Sequence, residues 1–473
     1  MKIPLGTGHY TGRSSNLNAL ILQNMYAQLD RSGKSIVSLF NTPGLTLKGT
    51  PEADVEVRGL YPLGDYLYAA CGSNFYQITT GFVATDKGNL NTAAGFVDFC
   101  DDGTYVILSD GTDGYTYNVG TDTFAQIVDV DFIGAKSMTY QDGYAITAEV
   151  DSQDMMQSAA ADPTAYTSTH KTSVNRASDN LVRAVSSGGN LWAFGDLTAE
   201  VYHNTGAALF SFERYEVFLQ HGLLARGAFT EADNTRFWLN QNRWLLRDEA
   251  YRPIKLNIDG IDYQFESYTT VNDAILYSFE MEGHIFVNVT FPTADETRVY
   301  DVSTGQWFKW ASYRSSDTGY GRHRSNCYAY FNGEHIVGDF ENGKLYELDL
   351  DVFTDNSEGI QRRFTLPNIY DKKSRNCQVH HRFEIDFEGG VGLATGQGSD
   401  PQAMLDWSND DGHTWSNERW ADIGKIGEYG NRAIWDMLGM AENRIYRCTI
   451  SDPVKVVVLG AYGEIETLRH KCL

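Results

Sequence analysis

Short runs of apolar and aromatic residues recur along the chain, and each follows a turn rich in glycine, asparagine or aspartate. Their central residues are Leu67, Val106, Ala145, Trp192, Phe237, Phe286 and Ile336. The steps between these centres are 39, 39, 47, 45, 49 and 50 residues. Most centres have a second such run about ten residues later, so the pattern predicts a strand, a turn and a second strand in each unit.

Units of this length that each carry a β-hairpin are typical of the blades of a β-propeller. The repeat therefore predicts an all-β fold with a propeller of six or seven blades over residues 55–365. A series of unrelated hairpins in a large β-sandwich produces a similar pattern and stays open as an alternative.

Residues 1–54 precede the repeat and are predicted to form an N-terminal arm. Helical spacing is seen for its apolar positions Leu17, Leu20, Ile21, Met25 and Leu29. An extended conformation over residues 24–26 fits equally well, so both readings stay open. The run Thr42-Pro43-Gly44-Leu45 indicates a turn.

Two further segments differ from the repeat. Residues 150–182 are polar and poor in strand-forming residues, which predicts a long loop within the third unit. Residues 366–473 are predicted to form a small C-terminal β-domain. Its strands are expected at 380–387, 403–408, 443–450 and 454–460.

The composition fits a globular protein and restricts its partners. The 473 residues hold 38 Lys and Arg against 62 Asp and Glu, which gives a formal net charge of −24. This charge argues against general nucleic-acid coating and against docking on anionic membranes. No run approaches the roughly 20 apolar residues of a membrane-spanning helix.

The cysteines are scattered along the chain, and no C-x-x-C motif occurs. They are Cys71, Cys100, Cys327, Cys377, Cys448 and Cys472. Six cysteines in 473 residues are far fewer than a disulfide-based scaffold requires. The sequence therefore predicts free thiols in a protein made in a reducing cytoplasm.

One local motif is specific. The run Ser408-Asn409-Asp410-Asp411-Gly412-His413-Thr414-Trp415 fits the Asp-box pattern S-x-D-x-G-x-T-W at every position. In such a hairpin the aspartate accepts backbone N–H groups, the glycine supplies a positive φ and the tryptophan packs beneath the turn. The roles expected for Ser408, Asp410, Gly412, Thr414 and Trp415 are therefore structural.

Patterns for chemistry are otherwise missing from the sequence. It contains neither H-E-x-x-H nor G-x-S-x-G. His380 and His381 adjoin a predicted strand and point to opposite faces, which makes a poor metal site. The sequence predicts no catalytic residues, no cofactor and no metal.

Charge is distributed unevenly along the chain. No Lys or Arg lies between Lys87 and Lys136, although that interval holds eight Asp. Residues 339–358 add seven acidic residues against one Lys. Such runs are usually solvated loops. The sharper interpretation is a surface that must not bind a polyanion.

A basic stretch interrupts this acidic background near the end of the repeat. Arg362, Arg363, Lys372, Lys373 and Arg375 are opposed there only by Asp371. These five basic residues are predicted to dock on an acidic neighbour, where charges at an interface rim set orientation and association rate. A solvated linker before the C-terminal domain is the alternative.

Several segments together resemble a known family. These segments, in chain order, are Gln23-Asn24-Met25-Tyr26, Thr42-Pro43-Gly44-Leu45, Leu191-Trp192-Ala193-Phe194-Gly195, Glu200-Val201-Tyr202, Asn204-Thr205-Gly206, Phe210-Ser211-Phe212-Glu213-Arg214, Gln220-His221-Gly222, the Asp-box, Ile423-Gly424-Lys425-Ile426-Gly427-Glu428-Tyr429, Arg444-Ile445-Tyr446-Arg447 and Ile450-Ser451-Asp452-Pro453. They resemble the packaged-DNA stabilisation proteins, or tail hub (nozzle) proteins, of short-tailed bacteriophages. The chain departs from the family within residues 150–182, so no role is carried over for that segment.

The resemblance implies a structural virion protein without enzymatic activity. A homo-hexamer is expected below the tail adaptor, continuing the DNA channel and retaining packaged DNA until ejection. Spike, fibre or needle proteins are expected at its side or tip, and assembly is expected in the host bacterial cytoplasm. Double-stranded DNA would pass through the channel without specific binding, and no membrane is involved.

Two rival functions remain at this point. The first is a sialidase-like or capsule-degrading glycosidase, which needs two close carboxylates and an arginine cluster in one pocket. The second is a sugar-binding receptor module of the tail, which needs exposed aromatic rings in a shallow groove.

Overall fold

The computed structural model describes residues 1–10, 12–14, 20–30, 36–314, 319–470 and 472. Strands make up nearly all of the regular structure. One α-helix, Asp259–Ser267, occurs within these described residues. The predicted fold class is confirmed, because the chain forms a β-propeller followed by a C-terminal β-sandwich.

The first blades are antiparallel sheets of four consecutive strands. Blade 1 comprises Val57–Leu63, Tyr66–Cys71, Asn74–Ile78 and Ala84–Asn89. Blade 2 comprises Asp98–Asp101, Tyr105–Ser109, Gly114–Asn118 and Thr123–Gln126. Blade 3 comprises Ser137–Gln141, Tyr144–Ala148, Asp154–Ala159 and Asp162–Ser173.

The remaining blades continue the same pattern. Blade 4 comprises Leu181–Ser187, Asn190–Gly195, Ala199–Asn204 and Phe212–Leu219. Blade 5 comprises Phe229–Ala232, Thr235–Leu239, Leu245–Asp248 and Pro253–Lys255. Blade 6 comprises Ile275–Met281, His284–Phe291, Glu296–Asp301 and Gln306–Arg314. Blade 7 comprises Ser325–Phe331, Glu334–Asp339, Leu345–Asp349 and Gly44–Gly49.

Blades 1 to 5 are separate sheets, whereas blades 6 and 7 are parts of larger sheets. The described residues thus form seven blades, the higher of the two predicted numbers. Every apolar run of the sequence repeat lies in the second strand of its blade. That strand is covered on both faces by neighbouring blades, and in Asn190–Gly195 five of the six residues are buried. A strand that is buried on both faces has apolar residues at consecutive positions, and this explains the apolar runs that recur along the sequence.

The short helix between blades 5 and 6 is specified locally. Asp259 and Asp262 lie in its first turn, where the partial positive charge of the helix N-terminus favours carboxylates. Ile261 and Phe265 are fully buried and lie on one face at i and i+4. Arg243 donates hydrogen bonds to the carbonyls of Phe265 (2.6 Å) and other residues at the helix end, satisfying its free acceptors.

The N-terminal segment closes the propeller ring. Gly44–Gly49 pairs with Leu345–Asp349 as the outer strand of blade 7. A Cβ atom on Gly44 would lie 2.4 Å from the carbonyl oxygen of Val352, so no side chain fits at this position. Of the predicted turn at 42–45, only residues 42 and 43 lie between strands, because the next strand begins at Gly44. The short strands Thr354–Asp355 and Glu358–Gly359 extend the same sheet.

The sandwich is built from both ends of the chain. Its first sheet contains Lys2–Ile3, Met25–Leu29, Val37–Asn41, Gln378–Phe387, Ala433–Asp436, Met440–Ala441 and Val457–Thr467. Its second sheet contains Leu22–Gln23, Arg362–Thr365, Ile369–Tyr370, Gln402–Ser408, Arg419–Asp422 and Asn443–Ile450. The four strands predicted for the C-terminal domain are confirmed, the last one beginning three residues later than expected.

The predicted N-terminal arm contributes strands to the sandwich and to blade 7. Met25–Leu29 is a strand, so the extended interpretation of this part is correct and the helical one is wrong. Leu17 lies outside the described residues. The segment boundaries at 54 and 365 stay predictions.

One continuous sheet joins the propeller to the sandwich. Leu22–Gln23 pairs in parallel with Gln306–Arg314 of blade 6 and antiparallel with Arg362–Thr365 of the sandwich. Eleven strands are thereby linked, and Gly319–Arg322 is attached to blade 6 at its outer strand. Because hydrogen bonds run unbroken across the boundary, the two parts are coupled by backbone as well as by side chains.

Fully buried Asn24 fixes this junction. Its side-chain Nδ2 donates to the carbonyl oxygens of Ala311 (2.9 Å) and Gln361 (2.8 Å), and its Oδ1 accepts the N–H of Ala311 (2.8 Å). Its backbone has φ 54°, a conformation that asparagine tolerates better than most residues. One side chain therefore holds blade 6 and the start of the sandwich in register.

The long loop predicted at 150–182 is wrong. Asp154–Ala159 and Asp162–Ser173 form the outer hairpin of blade 3. The outer strand has solvent on much of its surface, so most of its residues are exposed and polar. Polar composition therefore concealed a strand at the rim, and the irregular parts of the segment are residues 150–153, 160–161 and 174–180.

The prediction of six free thiols is also wrong. Cys377 and Cys472 form a disulfide with 4.9 Å between their Cα atoms. Cys71, Cys100, Cys327 and Cys448 are free and buried. The two paired residues are 95 positions apart in sequence. They meet because the last sandwich strand, Val457–Thr467, returns antiparallel along Gln378–Phe387, a pairing that the sequence does not display.

Reduction of this disulfide is expected to lower the stability of the sandwich. For a closed loop of this size the chain-entropy model predicts a loss of up to about 4–5 kcal/mol in the free energy of unfolding. Urea unfolding with and without a thiol reductant measures the loss. The Cys377→Ser, Cys472→Ser double variant is the control and should not respond to reductant. Equal urea midpoints for the wild type with and without reductant would contradict the prediction.

Candidate docking surfaces and the propeller axis

The Asp-box hairpin follows the sandwich strand Gln402–Ser408 and has the expected geometry. Asp410 accepts hydrogen bonds from the Thr414 N–H (2.8 Å), the Thr414 hydroxyl (2.6 Å) and the Ser408 hydroxyl (2.6 Å). These bonds hold the pKa of the Asp410 carboxyl well below its usual range. Gly412 has φ 92° and donates its N–H to Ser408 (2.8 Å). The turn is therefore locked by its own residues.

Arginines attach this hairpin to the sandwich. The guanidinium of Arg447 lies 3.8 Å from the centre of the Trp415 ring and pairs with Asp406 through two hydrogen bonds. Arg444, which is 1% exposed, donates to Asn409 (2.8 Å) and to the carbonyl of Leu438 (2.7 Å). Trp415 is thus half-buried under an arginine, and the tail motif containing Arg444 and Arg447 supports the Asp-box.

The basic stretch divides into buried and exposed parts. Arg362 is fully buried and donates to the carbonyls of Asp452 (2.9 Å) and Phe353 (3.2 Å). Docking on a neighbour through Arg362 is not compatible with this burial, so that part of the prediction is corrected. Arg363 is half-buried and donates to the Thr449 hydroxyl (3.2 Å). Both arginines belong to a strand of the sandwich, where the charge pattern of the sequence cannot reveal their burial.

Lys372, Lys373 and Arg375 are exposed on one loop of the sandwich. The Asp371 carboxylate holds the loop, because it accepts the N–H groups of Lys373 (3.0 Å), Ser374 (3.2 Å) and Asn376 (3.3 Å). These bonds lower the pKa of Asp371. The loop runs directly into disulfide-bonded Cys377. Three positive charges are therefore displayed on a short, braced turn, and docking through them stays a prediction.

The acidic run between Lys87 and Lys136 mainly closes turns. Its members that accept a backbone N–H are Asp101, Asp102, Asp110, Asp129 and Asp131. Asp122 pairs with Lys87 at 2.7 Å, and Asp98 is buried at the propeller axis. Much of this acidity therefore has a folding role, and its repulsion of a polyanion stays a prediction.

The motif residues of blade 4 form a buried charge network. Glu200 is fully buried and accepts hydrogen bonds from the Tyr202 hydroxyl (3.0 Å), Arg214 (2.9 Å) and the N–H of Arg176 (2.9 Å). Removing one partner of such a network leaves an uncompensated buried charge. The spacing of Glu200, Tyr202 and Arg214 in the sequence therefore reflects packing within one blade.

Two glycines of the same region allow close backbone contact. A Cβ on Gly222 would lie 2.3 Å from the carbonyl oxygen of Gly195. A Cβ on Gly195 would lie 2.4 Å from the carboxylate of Asp179, which accepts the N–H groups of Leu197 and Thr198, each at 2.9 Å. These positions are explained by sterics, without any functional role.

The propeller axis was not singled out by sequence reasoning. The first strands of blades 1 to 5 surround a cavity of about 510 Å³, and a smaller one of about 170 Å³ lies beside it. Both cavities are lined by Tyr61, Asp98, Phe99, Arg183 and Phe229. Arg183 pairs with Asp98 across the axis at 2.5 Å. The axis is therefore closed by side chains, and the only hint in the sequence was the position of Asp98 in an acidic run.

Buried arginines brace the connections between blades. Arg58, 1% exposed, donates to the carbonyls of Gly72 (2.9 Å), Thr92 (2.8 Å) and two further residues of the same connection. Arg226 donates to the carbonyls of Lys136 (2.8 Å) and Phe96 (2.8 Å). Such charge-assisted bonds satisfy loop carbonyls that lack a strand partner. The propeller is thus stiffened around its inner end.

The described part of the chain contains no group of three His, Cys, Asp or Glu side chains arranged to hold a metal ion. Among the described residues there is also no helix long and apolar enough to cross a bilayer. His380 is 1% exposed and His381 is exposed, so the prediction that the two point to opposite faces is confirmed.

Comparisons with known proteins give matches over both parts of the chain. The family model described as "Bacteriophage P22 Gp10, beta-propeller" matches residues 1–353, and the one described as "Bacteriophage P22 Gp10, beta-sandwich" matches residues 361–466. No curated protein matches the chain. Among solved structures, BamB from Moraxella catarrhalis is similar at 12% identity and a TM-score of 0.37, over 61% of this chain and 93% of that chain.

Proposed function

Because this chain belongs to the bacteriophage P22 Gp10 family and is a structural protein of a phage tail, we propose that six copies form the tail nozzle below the adaptor. The ring continues the DNA channel and retains packaged DNA until ejection. The observation that carries the proposal is the match of both family models, one to the propeller and one to the sandwich. The protein then acts in the virion tail after assembly in the host bacterial cytoplasm.

The rigid connection within the chain supports a load-bearing role. The eleven-stranded sheet through Leu22–Gln23 couples the propeller to the sandwich, and Asn24 braces the same junction. A ring that contains pressurised DNA must transmit force between copies without internal hinges. A backbone-paired junction meets this requirement better than a flexible linker.

The closed propeller axis bears on where the DNA passes. The axial cavity of about 510 Å³ is crossed by the Arg183–Asp98 pair. The major groove of DNA alone is about 12 Å wide, so a duplex does not fit through one propeller. The channel of the proposed nozzle therefore lies between copies, around the symmetry axis of the ring.

Charge supports passage without binding. Each chain carries −24, so six chains carry 6 × −24 = −144. An acidic channel wall repels phosphates and lets DNA slide. Retention would then be steric, by channel loops or by a needle protein at the tip. Fibres or spikes are proposed partners at the side.

A glycosidase is less well supported. A cavity of about 400 Å³ on the sandwich contains Arg382 and Arg432, but both arginines are paired with Glu384 of the same cavity. Among the described residues that line the larger axial cavity, Arg183 is the only arginine, and it is already paired with Asp98. The Asp-box is a braced turn of the sandwich and contributes to neither cavity. The sugar-binding alternative has a candidate groove of about 330 Å³, in which Tyr10 and exposed Tyr263 lie beside the carboxylates of the short helix.

Electron microscopy tests the proposed function directly. The purified protein should form six-fold rings, alone or on the portal–adaptor complex of its phage, and native mass spectrometry should give six copies. A density map should show the channel between copies. Monomers that ignore the complex, or activity on sialosides or capsular polysaccharides, would overturn the proposal in favour of a rival.

The exposed basic loop should matter for assembly. The Lys372→Glu, Lys373→Glu variant replaces attraction to an acidic neighbour by repulsion, so tail assembly should weaken by roughly tenfold or more. Arg375 is left unchanged because its backbone has φ 50°. Sedimentation of the variant with the portal–adaptor complex measures the effect.

The matched control is Arg176→Glu, Arg252→Glu. It makes the same change in net charge at exposed positions on the propeller. Normal assembly of the Lys372→Glu, Lys373→Glu variant, or equal loss in both variants, would remove the docking role of the loop.

A further inference from the structure

The connection between blades 2 and 3 displays apolar side chains to solvent. Val128, Val130 and Ile133 are 84%, 97% and 64% exposed. Two acidic residues, Asp129 and Asp131, alternate with them. Single exposed apolar residues are ordinary on protein surfaces, whereas three within six residues form a patch of the kind that marks an interaction site. Residues 128–133 are named the rim loop below.

The backbone of the rim loop is held against blade 3. The Asp129 carboxylate accepts the N–H of Asp131 at 2.9 Å. The Asp131 carboxylate accepts the N–H of Ser168, on the outer strand of blade 3, at 3.0 Å. The Phe132 ring packs on Tyr166 of the same strand, with 4.9 Å between the ring centres. Because the loop is already ordered, little conformational entropy is lost when it docks.

A second exposed apolar patch lies at the end of the sandwich farthest from the propeller. Trp420 belongs to the last strand of the eleven-stranded sheet, and Met437 directly follows the last strand of the other sheet. Arg419 connects the two, because it donates to the carbonyl of Met437 at 3.3 Å. Trp420, Met437 and Met440 are 60%, 83% and 57% exposed. These three residues, of types enriched at protein interfaces, are named the sandwich edge.

Basic residues border the sandwich edge. Met440 pairs with Val379, near the start of a sandwich strand. The exposed loop with Lys372, Lys373 and Arg375 leads into that same strand. The sandwich edge is therefore apolar with a basic border, whereas the rim loop is apolar with acidic residues between. The two patches are complementary in both apolar character and charge.

The two patches lie at opposite ends of the molecule. The inner strand of blade 7 contacts that of blade 1, so the ring of blades is closed. Blades 3, 4 and 5 separate the rim loop from blade 6 in one direction, and blades 7, 1 and 2 separate them in the other. The sandwich is attached to the outer strand of blade 6. One copy therefore cannot cover its own rim loop with its own sandwich edge.

We propose that the rim loop of one copy docks on the sandwich edge of the next copy around the ring. This inference rests on the proposed ring of six copies and names the surfaces that build it. A cyclic ring repeats one contact between two different patches of the same chain, and complementary patches at opposite ends meet this requirement. The apolar side chains of the rim loop bury against the sandwich edge, and its two aspartates pair with Lys372 and Lys373.

Two double variants each remove one patch. Val128→Lys, Val130→Lys places cations on the rim loop, where they face the basic border of the next copy. Met437→Asn, Met440→Asn removes apolar contact from the sandwich edge, and asparagine tolerates the φ of 55° at position 437. All four side chains are exposed, so both variants should fold. Under conditions in which the wild type forms rings, each variant alone should form at least tenfold fewer rings, as counted by native mass spectrometry.

A mixture of the two variants distinguishes a lost contact from a lost fold. The variant altered at the sandwich edge keeps its rim loop, and the variant altered at the rim loop keeps its sandwich edge. These intact patches should meet, whereas the other ends of the pair are both defective. The mixture should therefore stop at heterodimers with one copy of each variant. Heterodimers would also show that both variants are folded.

The matched control is Val83→Lys, Leu197→Lys. Both residues are exposed and apolar, in turns of blades 1 and 4, so the change in charge is the same and rings should form as in the wild type. Wild-type yields of rings from either patch variant, an equal loss in the control, or a mixture without heterodimers would overturn the inference and leave the nozzle proposal standing. If rings of a patch variant form normally but lose a fibre or spike, the patch belongs to that partner instead. Absence of wild-type rings would overturn both proposals.

Discussion

Replacing Asn24 by alanine is expected to destabilise the junction between propeller and sandwich by roughly 3–6 kcal/mol. The substitution removes the three hydrogen bonds to Ala311 and Gln361. Each buried partner that is left unsatisfied costs about 1–3 kcal/mol. Alanine is also less tolerant than asparagine of the φ of 54° at this position. The sandwich should therefore unfold in a separate transition before the propeller.

Differential scanning calorimetry and urea unfolding measure this effect. The Asn24→Gly variant separates its two causes, because glycine accepts positive φ but makes no side-chain hydrogen bond. It should lose most of the same stability. The control is Asn89→Ala, an exposed position with one side-chain bond to Asn74. A single transition at the wild-type midpoint for Asn24→Ala would show that the junction does not depend on this side chain.

The second large effect is a loss of stability in acid through His380. Burial, together with the positive charges of Arg444 and His381, lowers the pKa of His380 to about 3. Its Nδ1 is hydrogen-bonded to the Tyr446 hydroxyl at 2.9 Å. Its Nε2 is buried without a hydrogen-bond partner among the described residues. A proton on the ring would therefore add an unpaired charge beside Arg444.

The sign of the pH dependence follows from these pKa values. In the unfolded chain His380 takes up a proton near pH 6.5, whereas in the folded chain it stays neutral down to about pH 3. Its contribution to stability is complete above pH 6.5 and is lost as the pH falls. The loss is about 1.4 kcal/mol per pH unit and about 4–5 kcal/mol in total.

A comparison of variants isolates this contribution from other titrating groups. Burial lowers the pKa values of His9 and His323, which act in the same direction. Burial raises the pKa of Asp355 to about 6, which acts in the opposite direction. His380→Gln removes only one group, so the wild type should lose stability relative to this variant by about 2 kcal/mol between pH 6.5 and 5.

The neighbouring histidine is the control for this measurement. His381→Gln changes an exposed residue paired with Glu466. It removes the smallest of the three causes that lower the pKa of His380, whereas burial, the largest, remains, so this variant should keep most of the pH dependence of the wild type. Urea unfolding at a series of pH values gives both differences. Parallel pH profiles for the wild type and His380→Gln would contradict the burial-induced shift.

The sequence predicted those features that depend on short-range pattern. The blade repeat was visible because the second strand of each blade is covered on both faces and must be apolar throughout. The Asp-box was predicted correctly because Ser408, Asp410 and Thr414 bond to one another within seven residues. The strands of the C-terminal domain were visible for the same local reason.

The errors share a different cause. The outer hairpin of blade 3 was taken for a loop because a rim strand faces solvent and needs few apolar residues. Arg362 was taken for a docking residue because charge suggests exposure, although carbonyls brought in by Phe353 and Asp452 satisfy it in the core. Neither the exposure of this rim strand nor the burial of Arg362 can be predicted from the residues adjacent in sequence.

The sequence by itself determined the class of the fold, its repeating blades, the Asp-box turn and the acidic character of the chain. The tertiary structure decided how blade 7 is closed by residues 44–49, how Asn24 joins two parts, and that Cys377 meets Cys472. It also placed Asp98, Arg183 and Glu231 around one cavity. The reason is physical. Local pattern reports which strands are apolar throughout and which turns bond within themselves, whereas contacts between distant segments depend on how the strands pair, and the closed ring sets that pairing.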